Sequence, residues 1–216
     1  VQIQYISLFF ISILLILVTE NGISQSEWVL KKEENGIKAM TRQIEGSKFV
    51  EYKVESIATG SLASCVAVLH DVNSYQELFE DGKEYRLVEK INDAHIITYL
   101  HSNLPFPIKD RDGYYNNQFY FFPESQMVKV EVNCLSSYEE KKRVVRLDYC
   151  KGSWTFQKIN ENQVNIIHTF HTDPKGAIPA WIVNKKSVDS PIQTMAAMKR
   201  LVSLAKYQEQ RFDFIK

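Results

Sequence analysis

Histidine and cysteine are the side chains here best suited to chemistry, and their spacing limits what they can do. His168 and His171 stand three apart in an extended stretch, so they point to opposite faces of a strand and cannot grip one ion together. His95 and His101 share a face but lie about 20 Å apart at strand rise, again beyond one metal. Cys65 falls in a small, apolar helical stretch with no histidine near it in sequence. With Cys134 and Cys150 it makes three thiols, which cannot all pair and match neither a metal cluster nor a disulfide framework. They read as buried apolar thiols, or as one Cys134–Cys150 bridge between strands in an oxidising compartment. No nucleophile elbow, phosphate-cradling glycine loop or zinc helix motif occurs. The chain therefore offers no catalytic constellation and asks for no cofactor. One further group stands out: Asn116, Asn117 and Gln118 are embedded among aromatics in GYYNNQFYFF. They suit hydrogen-bonded core groups, edge residues, or the polar spots of a cavity that faces a ligand head group.

These residues have to be positioned by elements that the sequence marks out. Trp28 opens an extended segment, Asn35-Gly36 signals a hairpin, and residues 37–44 and 49–59 continue as strands. The period then changes, with helical character over 61–70 and 72–80. Strand patterns follow over 85–91, 95–101, 113–122, 128–136, 143–150, 153–159 and 164–171. Val128, Val130, Val132 and Cys134 form one face of their strand. A turn built on Asp173, Pro174 and Gly176 leads into a long helix that runs to Tyr207, with Pro179 at its first position and Pro191 expected to kink or restart it. Ile192, Met195, Met198, Val202 and Ala205 recur at helical spacing and give this helix an apolar, methionine-rich face. Three strands, two short helices, a long antiparallel run and a final helix make an α+β plan.

Lys plus Arg and Asp plus Glu both number 26 in 216 residues, so no basic field draws the chain to nucleic acid or anionic lipid. Tyr5–Val18 is an uncharged apolar run of 14 residues, short for a bilayer span but suited to a secretory signal. Gly22-Ile23-Ser24 supplies the small residues of a cleavage site before Gln25. The expected organisation is a signal segment over 1–24, or an uncleaved membrane anchor, followed by a single domain over 25–216 that is exported as a monomer.

Three local patterns, in order, resemble the START family, the StAR-related lipid-transfer domains of the helix-grip (Bet v 1-like) superfamily. Leu104-Pro-Phe-Pro-Ile-Lys-Asp-Arg-Asp112 looks like the family's Pro-Trp-Pro…Arg-Asp segment, and Gly152-Ser-Trp154 is similar to its Gly-x-Trp. Asp173-Pro-Lys-Gly-Ala-Ile-Pro-Ala-Trp-Ile-Val-Asn184 matches the Asp-Pro-x-Gly-x-Ile-Pro-x-Trp-x-x-Asn that leads into the family's last helix. The resemblance covers about residues 27–207. It implies a helix-grip fold, in which a curved antiparallel sheet wraps the C-terminal helix around a hydrophobic tunnel, and a function in binding, carrying or sensing a lipid. On the same pattern the loop 101–110 and the helix form a gate that touches membranes transiently. The resemblance directs ligand contacts to Tyr99, His101, Phe106 and Arg111, to Tyr115, Asn117 and Phe119, to His168 and Phe170, and to Trp181, Met195, Met198 and Val202. Arg111 and Asp112 are expected to pair and hold the loop base. Sterol-carrying members keep a charged residue in the strand after Arg-Asp; here that strand reads Tyr114, Tyr115, Asn116, Asn117, Gln118 and has none. Related helix-grip proteins include cyclases and aromatases, so an enzyme acting on a hydrophobic substrate in the same cavity is the alternative.

Overall fold

The computed structural model describes residues 26–138 and 141–216. The apolar run and its cleavage site lie outside them. Strands β1 (Val29–Glu34), β2 (Ile37–Gln43) and β3 (Val50–Thr59) precede α1 (Leu62–His70), a single 3₁₀ turn at Val72–Ser74 and α2 (Tyr75–Leu78). Strands β4 (Gly82–Asn92), β5 (His95–Ser102), β6 (Arg111–Phe122), β7 (Met127–Leu135), β8 (Val145–Arg146), β9 (Cys150–Asn160) and β10 (Gln163–Thr172) follow, then α3 (Ala180–Val202) and α4 (Ala205–Gln208). This is the α+β, helix-grip plan expected from the sequence.

The strands form one sheet in the order β1-β2-β3-β10-β9-β7-β6-β5-β4, with β8 alongside β6. Neighbours pair antiparallel except β8, which lies parallel to Arg111 and Asp112. The last strand, β10, docks against β3 and so closes the three N-terminal strands onto the rest. Alternation sends Val128, Val130 and Val132 of β7, Trp154 and Phe156 of β9, and Val164 and Ile166 of β10 to the inner, concave face. There they meet Cys65, Val66 and Leu69 of α1 and Ile192, Met195, Met198, Leu201 and Val202 of α3. Full burial of such side chains contributes roughly 1.5–3 kcal/mol each, so this end of the helix is an anchor.

Local signals explain the elements and three departures from expectation. Ser61 caps α1 in a reciprocal box with Ser64. Asn35 and Gly36 both take positive φ, as their hairpin demands. The long helix stops at Val202, not Tyr207; Ser203 and Leu204 turn the chain into α4, which leaves Ala205 off the apolar stripe. Pro179 is the N-cap rather than the first helical residue, and Pro191 sits inside a continuous α3 without restarting it. The strand expected over 143–150 contracts to Val145–Arg146, which pairs in parallel with Arg111 and Asp112 at the start of β6, while Cys150 opens β9.

Cys134 and Cys150 are disulfide-bonded and extend the β7–β9 register by one rung, whereas Cys65 is a free, buried thiol. Of the two sequence readings the bridge is the one the fold adopts.

Candidate functional site

The concave face is filled at one end and hollow at the other. Beyond the anchored half of α3 lies a chamber of about 170 Å³, walled by Tyr52, Leu69, Tyr75, Phe79, Thr98, Leu100, Tyr115, Asn117, Val132, Trp154, His168 and Phe170. Six strands from β3 to β5, with α1 and α2, contribute these walls. Tyr52, Phe79, Leu100 and Phe170 are shared with an outer vestibule of about 290 Å³ under the first half of α3, where Val183, Ser187, Pro191 and Thr194 face Asp81, Tyr85 and Ser102. Together the two spaces fall within the roughly 300–1,000 Å³ of small-molecule sites. No Asp, Glu, Lys or Arg lines the inner chamber.

His168 is the chamber's most constrained polar group. Its ring stacks on Trp154 at 3.8 Å between centroids, and Nδ1 lies 3.0 Å from the Ser153 carbonyl oxygen. A carbonyl only accepts, so Nδ1 carries the proton and Nε2 offers its lone pair to the Tyr52 hydroxyl, 2.9 Å away. Burial lowers the His168 pKa to about 4 and raises that of Tyr52, which keeps the pair neutral. On β6, Asn117 donates from Nδ2 to Thr98 Oγ1 (3.1 Å) and to the Tyr115 carbonyl (3.0 Å). Burial pushes the Tyr115 phenol up as well. Tyr75 is closed off, since its hydroxyl donates to the Leu69 carbonyl at 2.7 Å.

The sequence motifs build this architecture. A Cβ at Gly152 would come within 2.4 Å of the Phe170 ring, so glycine lets Phe170 lie over its partner strand while Trp154, two residues on, supports His168. Arg111 donates from Nε to the Pro174 carbonyl (2.8 Å), from Nη2 to that of Lys175 (2.7 Å) and from Nη1 to that of Lys109, which ties the loop before β6 to the turn before α3. Asn184 bonds backbone at both ends of its amide, accepting from Val50 N (3.1 Å) and donating to the Lys48 carbonyl (3.3 Å), and so pins α3 to the start of β3.

Tyr115, Asn117, His168 and Phe170 are the sequence-derived candidates that the fold gathers around the chamber. Others go elsewhere. Tyr99 and His101 occupy the outer face of β5, because Tyr99 sits opposite Tyr114 rather than Tyr115; Tyr99 donates to Asp112 Oδ2 (3.1 Å) and His101 Nε2 lies 3.0 Å from Asp110 Oδ2. Phe119 faces inward but packs on His70 and Phe214 near the C-terminus. Met195, Met198 and Val202 are fully buried in the anchor, not in a chamber wall. Phe106 and Trp181 are 97% and 70% exposed at the two segments that Arg111 ties together. The expected Arg111–Asp112 pair does not form: adjacent strand residues point to opposite faces, and Asp112 instead takes a two-pronged bond from Arg146 (2.8 and 2.9 Å). Of the loop 101–110 expected as a gate, Ser102 lines the vestibule and residues 103–110 line neither space; the segment 79–85 faces α3 there. Sequence reasoning missed Tyr52, Thr98 and Trp154. Only Trp154, within Gly-x-Trp, had a local signal.

No family model matches the chain. An uncharacterized protein of Pseudomonas aeruginosa is 23% identical over 182 residues, covering 84% of this chain and 89% of that one. Among solved structures, a STAR-related lipid transfer protein from Xanthomonas axonopodis superposes with a TM-score of 0.75 at 28% identity, over 82% of this chain and 99% of that fragment. Human StAR-related lipid transfer protein 5 gives a TM-score of 0.69 at 18% identity, over 81% and 86%.

Proposed function

We propose that this chain, which has the START helix-grip fold, binds a hydrophobic ligand in the chamber and vestibule beneath α3 and releases it when the first half of α3 moves. The observation that carries the reading is a chamber of apolar and aromatic walls that holds a few neutral polar groups and no charge. Each CH₂ of ligand placed there gains about 0.8 kcal/mol. A site of this kind rewards an apolar body with one polar end.

The gate in this reading is α3 from Val183 to Thr194 against the segment 79–85. The loop 103–110 serves as a rim: with Phe106 and Trp181 exposed on neighbouring segments, it presents aromatic side chains suited to a transient membrane contact. An oxidising compartment outside the cytoplasm suits both the Cys134–Cys150 bridge and the apolar run at Tyr5–Val18. Enzymatic turnover is the competing reading, with Tyr52 and His168 as the acid–base pair, but their mutual hydrogen bond spends both groups on each other.

Native mass spectrometry of the purified protein after incubation with a lipid extract tests the proposal. A ligand-sized mass increment that is lost on filling the chamber with Val132→Phe supports it. A protein that stays empty, or that converts a polyketide-like substrate, overturns it.

A further inference from the structure

His168 and His171 point to opposite faces of β10, and the chamber uses only the first. His171 turns outward yet is 6% exposed, held against Ser47 and Tyr149. It lines a separate groove of about 400 Å³ on the convex face of the sheet. Strand register lays out the floor. Asn133, Lys151 and His171 stand side by side on β7, β9 and β10, and Glu131, Ser153 and Thr169 make the next row, with neighbours about 5 Å apart. The short side chains of Ser153 and Thr169 lie between long ones, with Lys129 and Glu131 on one side and the Arg42–Glu51 pair on the other, and this difference in length makes the hollow.

The groove's polar groups are unequally engaged. Arg42 pairs with Glu51 at 2.5 Å and Lys129 with Glu131 at 2.7 Å, whereas Lys151 has no anionic partner among the described residues. His171 meets Ser47 Oγ through Nε2 at 3.1 Å and leaves Nδ1 without a partner. Among the described residues His70 Nε2 is the only enclosed side-chain nitrogen or oxygen that lacks one, so His171 Nδ1 is reachable from outside. Ser153 and Thr169 bond each other at 3.0 Å and keep one O–H between them. The Asn133 amide, the Tyr149 hydroxyl and the second oxygen of Glu131 are likewise free among the described residues.

We propose that this groove is a second binding site, for an acidic sugar: a polyhydroxylated ring that carries one carboxylate. The carboxylate meets Lys151 and the Asn133 amide. Ring hydroxyls donate to Glu131 and accept from the Ser153–Thr169 pair, and the half-exposed Tyr149 offers an apolar surface to the C–H face of the ring. The volume lies within the roughly 300–1,000 Å³ of small-molecule sites. A neutral sugar would leave Lys151 unmatched, and a doubly charged phosphate would stand against Glu51 and Glu131. An apolar chain would bury these polar groups without partners. The sheet itself separates the groove from the chamber, so this site needs no movement of α3.

Titration of the isotope-labelled protein, followed by NMR, tests the site with four probes: D-glucuronate, methyl α-D-glucoside, acetate and inorganic phosphate. Glucuronate should shift the backbone amides of Asn133, Lys151, Ser153 and His171 saturably and leave those of Asn117 and His168 in place. It should bind about fivefold more tightly than the glucoside, as a partly solvated charge pair allows, and more tightly than either small anion. Lys151→Met, at an exposed position, should bring glucuronate down to the affinity of the glucoside without changing Tm. Ser153→Ala should weaken both sugars alike. Acetate or phosphate binding as tightly as glucuronate overturns the proposal, as does a preference for glucuronate that survives Lys151→Met. Shifts that never saturate with either sugar, or that fall on the chamber residues instead, overturn it as well.

Discussion

Lys186 of α3 and Asp81, just before β4, form an ion pair of 2.6 Å across the mouth of the vestibule. Both side chains are partly solvent-exposed, so the pair is a weak surface bridge, worth on the order of 0.5 kcal/mol. Weakness suits a clasp that must open. Replacing Lys186 by Met or Asp81 by Asn should speed dissociation of a bound hydrophobic probe about two- to fivefold, and raised salt should do the same to the native protein only. Stopped-flow release measurements check this; equal salt dependence in native protein and variants would remove the clasp from the gate.

Pro191 lies on the same helix, in the vestibule wall. Proline leaves the carbonyl four residues back, that of Ser187, without its helical donor. Pro191→Ala restores that bond and should stiffen α3, slowing probe exchange severalfold while thermal stability rises. Exchange unchanged alongside a higher Tm would make Pro191 a passive kink.

The buried imidazole of His168 sets a pH dependence with a definite sign. It titrates near 6.5 when unfolded and at about 4 when folded, chiefly through desolvation. Between those values the unfolded chain binds the extra proton, so stability falls as pH drops from 6.5 toward 4. His70 is lowered to about 4 for the same first reason and adds in the same direction. Asp71, whose pKa lies below 3.8, contributes a loss only in more acidic solution. Urea denaturation at pH 7, 5.5 and 4.5 should show a decline on the order of 1–3 kcal/mol per histidine, and His168→Gln should flatten it. An undiminished slope in that variant would place the titration elsewhere.

Thiol accounting follows from one bridge and one buried cysteine. Burial pushes the Cys65 thiol well above its ordinary value, so the folded protein should not react with a thiol reagent. Denatured without reductant it should show one reactive thiol; with reductant, three. Cys134→Ser with Cys150→Ser should cost about 3 kcal/mol, the value for a loop of this length. More than one reactive thiol in the unreduced, denatured protein would rule the bridge out.

Phe106 and Trp181 supply the last prediction. If the rim touches membranes, Phe106→Ala and Trp181→Ala should each reduce co-sedimentation with zwitterionic phosphatidylcholine vesicles several-fold and leave probe binding in solution unchanged. Because the chain has no net charge, added salt should alter vesicle binding little. Full vesicle binding by the double variant would end the rim's role.

Much of this molecule could be read from its sequence because the relevant signals were local. The alternation at Val128–Val132, the Asn35-Gly36 turn and the Asp-Pro-x-Gly run into the last helix each depend on a few adjacent residues. The chamber does not. Tyr52 reaches His168 across 116 positions through the pairing of β3 with β10, and no local pattern announces that pairing. Tyr99 and Tyr115 are both strand tyrosines, and only the register of β5 on β6 sends one outward and the other inward. Arg111 beside Asp112 suggested a pair by proximity in sequence, yet strand alternation makes neighbours the least able to meet.

The seam between β3 and β10 has a consequence for how the protein is made. Tyr52 comes from β3 and Phe170 from β10, so no fragment that lacks either strand contains the chamber. Pairing over such sequence separation is slow to form, since loop-closure entropy is spent before contacts compensate. The hollow then comes into being with the final closure of the sheet. A ligand that fits it recognises only the completed molecule and raises its stability by mass action. Loading would in that case follow the docking of β10 on β3, with the cargo acting as a test that the sheet has closed correctly.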